Sequence, residues 1–131
     1  MLNILLVDDE SVVSEVLKEI LVMLGHHVET APDGQEGVLM FDGRTYDLVI
    51  TDILMPGVDG HGVARHIRSS ERPYTPVIGI SGTPWLLEGA IFDSVISKPF
   101  TVKALTNAID DATGSPSPPG MLQNHPVLSM G

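Results

Sequence analysis

Short aliphatic runs rich in Val and Ile alternate along this chain with stretches whose apolar residues return at helical spacing. The runs predict strands over about 3–8, 26–30, 47–51, 76–80 and 94–97. Runs that are apolar throughout, with no alternation, suggest strands covered on both faces. The spacing between them predicts helices over about 11–24, 34–43, 60–70 and 101–112. The first carries the stripe Val12, Val13, Val16, Leu17, Ile20, Leu21 and Leu24, with Gly25 as its stop. The second carries Val38, Leu39 and Phe41. The third buries Val63, Ala64 and Ile67 and leaves Arg65 and Arg68 facing water. The last buries Val102, Leu105, Ala108 and Ile109, with Thr101 as N-cap. Between Ser81 and Asp93, Pro84 suits a first turn but Gly89 follows early, so a short or irregular fourth helix is expected.

Strand–helix alternation of this kind is the pattern of βαβ units. The expected fold is α/β and doubly wound, a (βα)5 chain around a central five-stranded parallel sheet. One domain is expected over residues 1–113. From Gly114 the composition turns to Gly, Pro and Ser, so 114–131 reads as a linker or disordered tail.

The chemistry sits where the apolar runs end. Asp8 and Asp9 follow Ile4–Val7, Asp52 follows Leu48–Ile50, Ser81 follows Val77–Ile80, and Lys98-Pro99 follows Val95-Ile96. Residues at the carboxyl ends of parallel strands gather at one edge of the sheet, where open α/β folds place their sites. Three carboxylates, a hydroxyl and a lysine at such an edge suit a divalent cation and a phosphoryl group. Packed carboxylates repel one another, and a hard divalent ion relieves that repulsion. Taken singly, Asp8 and Asp9 would read as acidic residues at a helix start, and Lys98 as a solvated charge.

Composition narrows the function further. The 131 residues carry a formal net charge of −10 with no run of Lys or Arg, which opposes direct nucleic-acid binding by this segment. The chain has no cysteine, hence no disulfide and no thiolate metal site. No apolar run approaches the roughly 18 residues of a membrane span, and the apolar start lacks a basic leader. The expectation is a cytoplasmic protein without membrane insertion. The five histidines read as packing or surface residues, since His26 and His27 would point to opposite sides of a strand.

With these residues in view, the sequence from 2 to about 112 resembles the receiver domain of two-component response regulators. The resemblance rests on Leu6-Val7-Asp8-Asp9-Glu10, on Asp52 with Met55-Pro56 and Gly60, on Ser81, and on Lys98-Pro99-Phe100. It implies the flavodoxin-like strand order 2-1-3-4-5. It also implies that Asp52 accepts a phosphoryl group from a sensor histidine kinase or phosphotransfer protein, and that the receiver then switches conformation to control a partner or output domain. Mg2+, with Mn2+ as a substitute, would be held by Asp9, Asp52 and the Leu54 backbone carbonyl, with Asp8 acting through water. Lys98 would pair with phosphoryl oxygens, Ser81 would hydrogen-bond the group as the switch hydroxyl, and Pro99 would follow a cis peptide bond. Such a protein is a phosphoacceptor and not a turnover enzyme on an external substrate. A homodimer is compatible with the resemblance.

Two departures stand out. Val95 occupies the position where the family usually carries Tyr or Phe, and the interval from Ser81 to Lys98 is shorter than usual. They bear on how the switch runs and leave open a degenerate receiver acting as a phosphorylation-independent adaptor. Trp85, four residues after Ser81, reads first as a packing residue and second as a partner contact or gate. Leu54 is apolar where a polar side chain could orient water, so a phosphorylated form that is not unusually short-lived is expected.

Overall fold

A computed structural model of the chain describes residues 1–82 and 91–114. Five strands, β1 (Asn3–Val7), β2 (His27–Ala31), β3 (Leu48–Asp52), β4 (Val77–Ser81) and β5 (Ser94–Ser97), pair in parallel in the order β2-β1-β3-β4-β5. Four helices accompany them among the described residues: α1 (Ser11–Met23), α2 (Gly34–Gly43), α3 (Gly60–Arg68) and α4 (Val102–Thr113). The parallel doubly wound sheet and its 2-1-3-4-5 order are as expected. The short or irregular helix anticipated between Ser81 and Asp93, and Trp85 with it, fall largely on residues 83–90, outside the described residues. Nearly all of the anticipated tail lies outside them too.

Every residue of β3 and β4 is buried, which explains their unbroken apolar character. Side chains alternate between two cores. Ile4, Leu6, Ile50, Ile78 and Ile80 pack with Leu17 and Leu21 of α1 and Leu105 and Ile109 of α4. Leu5, Val7, Val49 and Val77 pack on the opposite face with Phe41 of α2 and Val63 and Ile67 of α3. Each such side chain contributes about 1.5–3 kcal/mol on burial. Among the described residues, no helix is long and apolar enough to cross a membrane.

Three strands end one residue later than expected, so Asp52 and Ser81 are the last residues of β3 and β4. The ladder extends them, since Asp52 is level with Ile80 and Ser81 with Ser97. The helix caps follow from local chemistry. Asp33, Asp59 and Thr101 each accept a backbone N–H two or three residues into α2, α3 and α4. Gly25, at φ 95, turns the chain after α1.

Several expectations about exposure need correction. Val12 and Val16 do not join the buried stripe of α1, being 73% and 52% exposed, because α1 rests on the sheet through Ser14, Leu17 and Leu21. Leu24 after α1, Leu39 of α2 and Val102 of α4, also placed on apolar stripes by the spacing, are likewise exposed. Arg68, expected to face water, folds inward. Its guanidinium donates to the carbonyls of Pro73, Thr75 and Ile91 and pairs with Asp93 at 2.8 Å.

Candidate functional site

Strand register brings the polar residues to one edge. Val7 is level with Thr51, which sets Asp8 beside Asp52. Ser81 is level with Ser97, which sets Lys98 one step beyond β5. The Lys98 backbone N–H donates to the Ser81 carbonyl at 2.9 Å, tying the two strand ends together. The Lys98–Pro99 peptide is cis, as expected.

Asp8, Asp52 and Ser81 are buried, whereas Asp9 is exposed. Lys98 Nζ stands 3.3 Å from Asp52 Oδ2 and 3.8 Å from Glu10 Oε1. Asp8, Asp9, Glu10 and Asp52 each offer an oxygen, and these atoms lie within 4.8 Å of one another. Glu10 is the member that sequence reasoning left without a role. It is the N-cap residue of α1, yet its side chain makes no cap and leans toward Lys98. Its backbone N–H donates to Asp8 Oδ1 at 2.9 Å. An acid directly after Asp9 was the only signal available.

Burial pushes the Asp8 carboxyl above its ordinary range, the Glu10 N–H pulls it down, and the charge of Asp52 raises it again. Four carboxylates facing one lysine leave the cluster with surplus negative charge. All its donors are hard oxygens, some of them solvent-exposed, which is the donor set that Mg2+ prefers while it keeps several waters. The residues present therefore fit such an ion.

The loop after Asp52 is held by backbone contacts. The Thr51 hydroxyl donates to the Asp52 carbonyl at 2.8 Å, Ile53 N–H donates to Ile80 at 3.0 Å, and Gly60 N–H donates to Ile53 at 2.9 Å. Gly60 sits so close that a Cβ there would fall 2.6 Å from the Asp52 carbonyl oxygen and 2.7 Å from Ile53 Cα. Glycine is thus required for α3 to begin against the Asp52 backbone. Leu54 projects outward and is 63% exposed, while Met55 turns inward. Val95, 39% exposed on β5, lines a surface groove of about 410 Å³ with Pro99 and Phe100.

A family model described as the response regulator receiver domain matches residues 4–110. Among curated proteins, a probable transcriptional regulator, ycf27, of Guillardia theta is 36% identical over 106 residues, covering 79% of this chain and 42% of that protein. The transcriptional regulatory protein TcrA of Mycobacterium tuberculosis is 33% identical over 113 residues with the same coverage. The match thus spans about two fifths of the length of these relatives. Among solved structures, a receiver domain protein from Clostridium thermocellum superposes with a TM-score of 0.80 at 30% identity, covering 87% of this chain and 95% of that one. The receiver domain of the sensor histidine kinase PA1611 from Pseudomonas aeruginosa, which holds a magnesium ion in its active-site cleft, gives 0.79 at 28% identity, covering 87% and 98%. The fold, the gathered acidic edge and the match over residues 4–110 agree, and the chain belongs to the response regulator receiver domain family.

Proposed function

We propose that this domain accepts a phosphoryl group on Asp52 from a histidine kinase or phosphotransfer protein, and that the acyl phosphate switches its control of a partner or output domain. The observation that carries the reading is the 3.3 Å approach of Lys98 Nζ to a buried Asp52 carboxylate within a cluster of further acids. A carboxylate attacks an anionic phosphoryl group poorly unless charge is neutralised on both partners. Lys98 lies where it can reach phosphoryl oxygens on Asp52. Asp9, Asp52 and the Leu54 carbonyl would hold Mg2+, which would supply the remaining neutralisation, and Asp8 would act through bound water. In the transfer, an Asp52 oxygen bonds to phosphorus as the phosphorus–nitrogen bond of the donor breaks, and the imidazole leaves with the electron pair. Ser81, at the end of β4, would hydrogen-bond the transferred group and tie its presence to β4.

The curated relatives are named as transcriptional regulators and are longer than this chain. We read this domain as the phosphorylation-controlled part of such a regulator or as a stand-alone switch, acting in the cytoplasm. The gathering of Asp8, Asp9, Asp52 and Lys98 favours this over a phosphorylation-independent adaptor. Labelling with radioactive acetyl phosphate and Mg2+ tests it. The label should map to the peptide containing Asp52 and be released by hydroxylamine, as an acyl phosphate is. Stable label on another residue, or none, would contradict the assignment.

A further inference from the structure

Phe92 lies just before β5 and closes a contact circuit around the Asp52 loop. Opposite it, β4 carries Gly79, whose missing side chain leaves a socket. A Cβ placed there would fall 2.7 Å from Ile53 Cδ1 and 3.1 Å from Phe92 Cδ1, so both side chains abut the same point on the sheet. Ile53 directly follows Asp52. Its carbonyl binds the N–H of Gly60, and the next residue, His61, meets the Phe92 ring edge-on at 5.4 Å between centroids. Phe92 therefore meets His61 directly and shares the Gly79 socket with Ile53, the two lying on either side of the hydrogen bond that closes the loop.

The backbone around Phe92 is anchored independently. The Ile91 carbonyl accepts from Arg68 at the end of α3. Asp93 accepts from Arg68 and from the Val77 N–H, and its own N–H donates to the Val77 carbonyl. With its neighbours pinned, the ring answers a shift of Ile53 against Gly79, which is level with Val95 of β5 in the sheet. Packed cores transmit strain because they have few voids to absorb it.

We infer that Phe92 is a positioning residue that couples the Asp52 loop to β5 through the Ile53–Gly79–His61 socket. It touches no reacting group. The inference rests on the receiver reading, and its test separates the two. Backbone amide shifts would be followed by NMR in protein treated with Mg2+ and acetyl phosphate, with adduct formation checked by mass. Ser97, beside Lys98, reports local occupancy, whereas Ser94 and Val95, nearer Phe92, report coupling. In Phe92→Leu the response of Ser97 should persist while that of Ser94 and Val95 falls by half or more. Gly79→Ala, whose new methyl would fall 2.7 Å from Ile53 Cδ1 and 3.1 Å from Phe92 Cδ1 and so wedge between the two side chains, should weaken the same response and carries the test if Phe92→Leu does not fold. An adduct with undiminished Ser94 and Val95 responses in the folded variant would overturn the coupling alone. No adduct in the wild type would overturn the receiver reading and the coupling with it.

Discussion

Lys98 Nζ stands 3.3 Å from Asp52 Oδ2, although 46 residues separate them in sequence. One cation beside one buried carboxylate does two opposed things. It favours the anionic nucleophile and, later, the phosphoryl oxygens, but it repels a second cation. Lys98→Met should therefore separate two quantities. Removing the positive charge should tighten Mg2+ binding by about tenfold, while acceptance of a phosphoryl group from acetyl phosphate slows by at least about tenfold. Calorimetric Mg2+ titration and initial phosphorylation rates measure them. A parallel loss of both would mean that Lys98 acts chiefly in holding the site's structure.

Asp8 provides a stability prediction whose sign follows from its raised pKa. Burial disfavours its charged form in the fold. Below the ordinary carboxylate range Asp8 is protonated in both folded and unfolded chains, and its ionisation costs the fold nothing. As pH rises through its raised folded-state value, the ionised group costs stability. In the absence of divalent ions, Asp8→Asn should melt a few degrees higher than the wild type near neutral pH, and the gain should vanish in acid. The variant amide can still accept the Glu10 N–H. Mg2+ should raise the wild-type melting temperature more than that of the variant. A lower neutral melting temperature for the metal-free variant would contradict the account.

Gly60 tests the backbone packing behind the nucleophile. An alanine Cβ would meet the Asp52 carbonyl and Ile53 Cα, neither of which is a flexible side-chain end. Gly60→Ala should cost about 1–3 kcal/mol of stability and slow phosphorylation as the Asp52 loop shifts. Denaturant unfolding and acetyl phosphate kinetics would reveal it, and an unperturbed variant would show that the contact is slack.

Much of the fold was legible because parallel strands buried on both faces are written as aliphatic runs, with Asp8, Asp52, Ser81 and Lys98 marking their ends. Strand ends slipped by one residue because the neighbouring strand, not local propensity, decides where a ladder stops. Arg68 departs from its expected exposure for a related reason. A charge on a helix reads locally as solvated, and its acceptors Ile91 and Thr75 come from segments that only folding brings close. Val12 and Val16 erred the other way, apolar in type but turned from the sheet. Glu10 and Phe92 carried no signal in spacing, since their meaning depends on what Lys98 and Gly79 place opposite them.

Leu54, exposed two residues after Asp52, bears on how long a phosphoryl group persists. An apolar side chain there cannot orient water for attack on an acyl phosphate, whereas an amide can. Leu54→Asn should lose its phosphoryl group several-fold faster than the wild type after excess donor is removed. Faster decay in the wild type would remove Leu54 from the path of water.

The most direct measurement is intact mass after incubation with acetyl phosphate, with and without Mg2+, for the wild type and Asp52→Asn. The account predicts a single phosphoryl increment in the wild type that requires Mg2+ and is absent from the variant. No increment in the wild type, or an equal increment in Asp52→Asn, would contradict it.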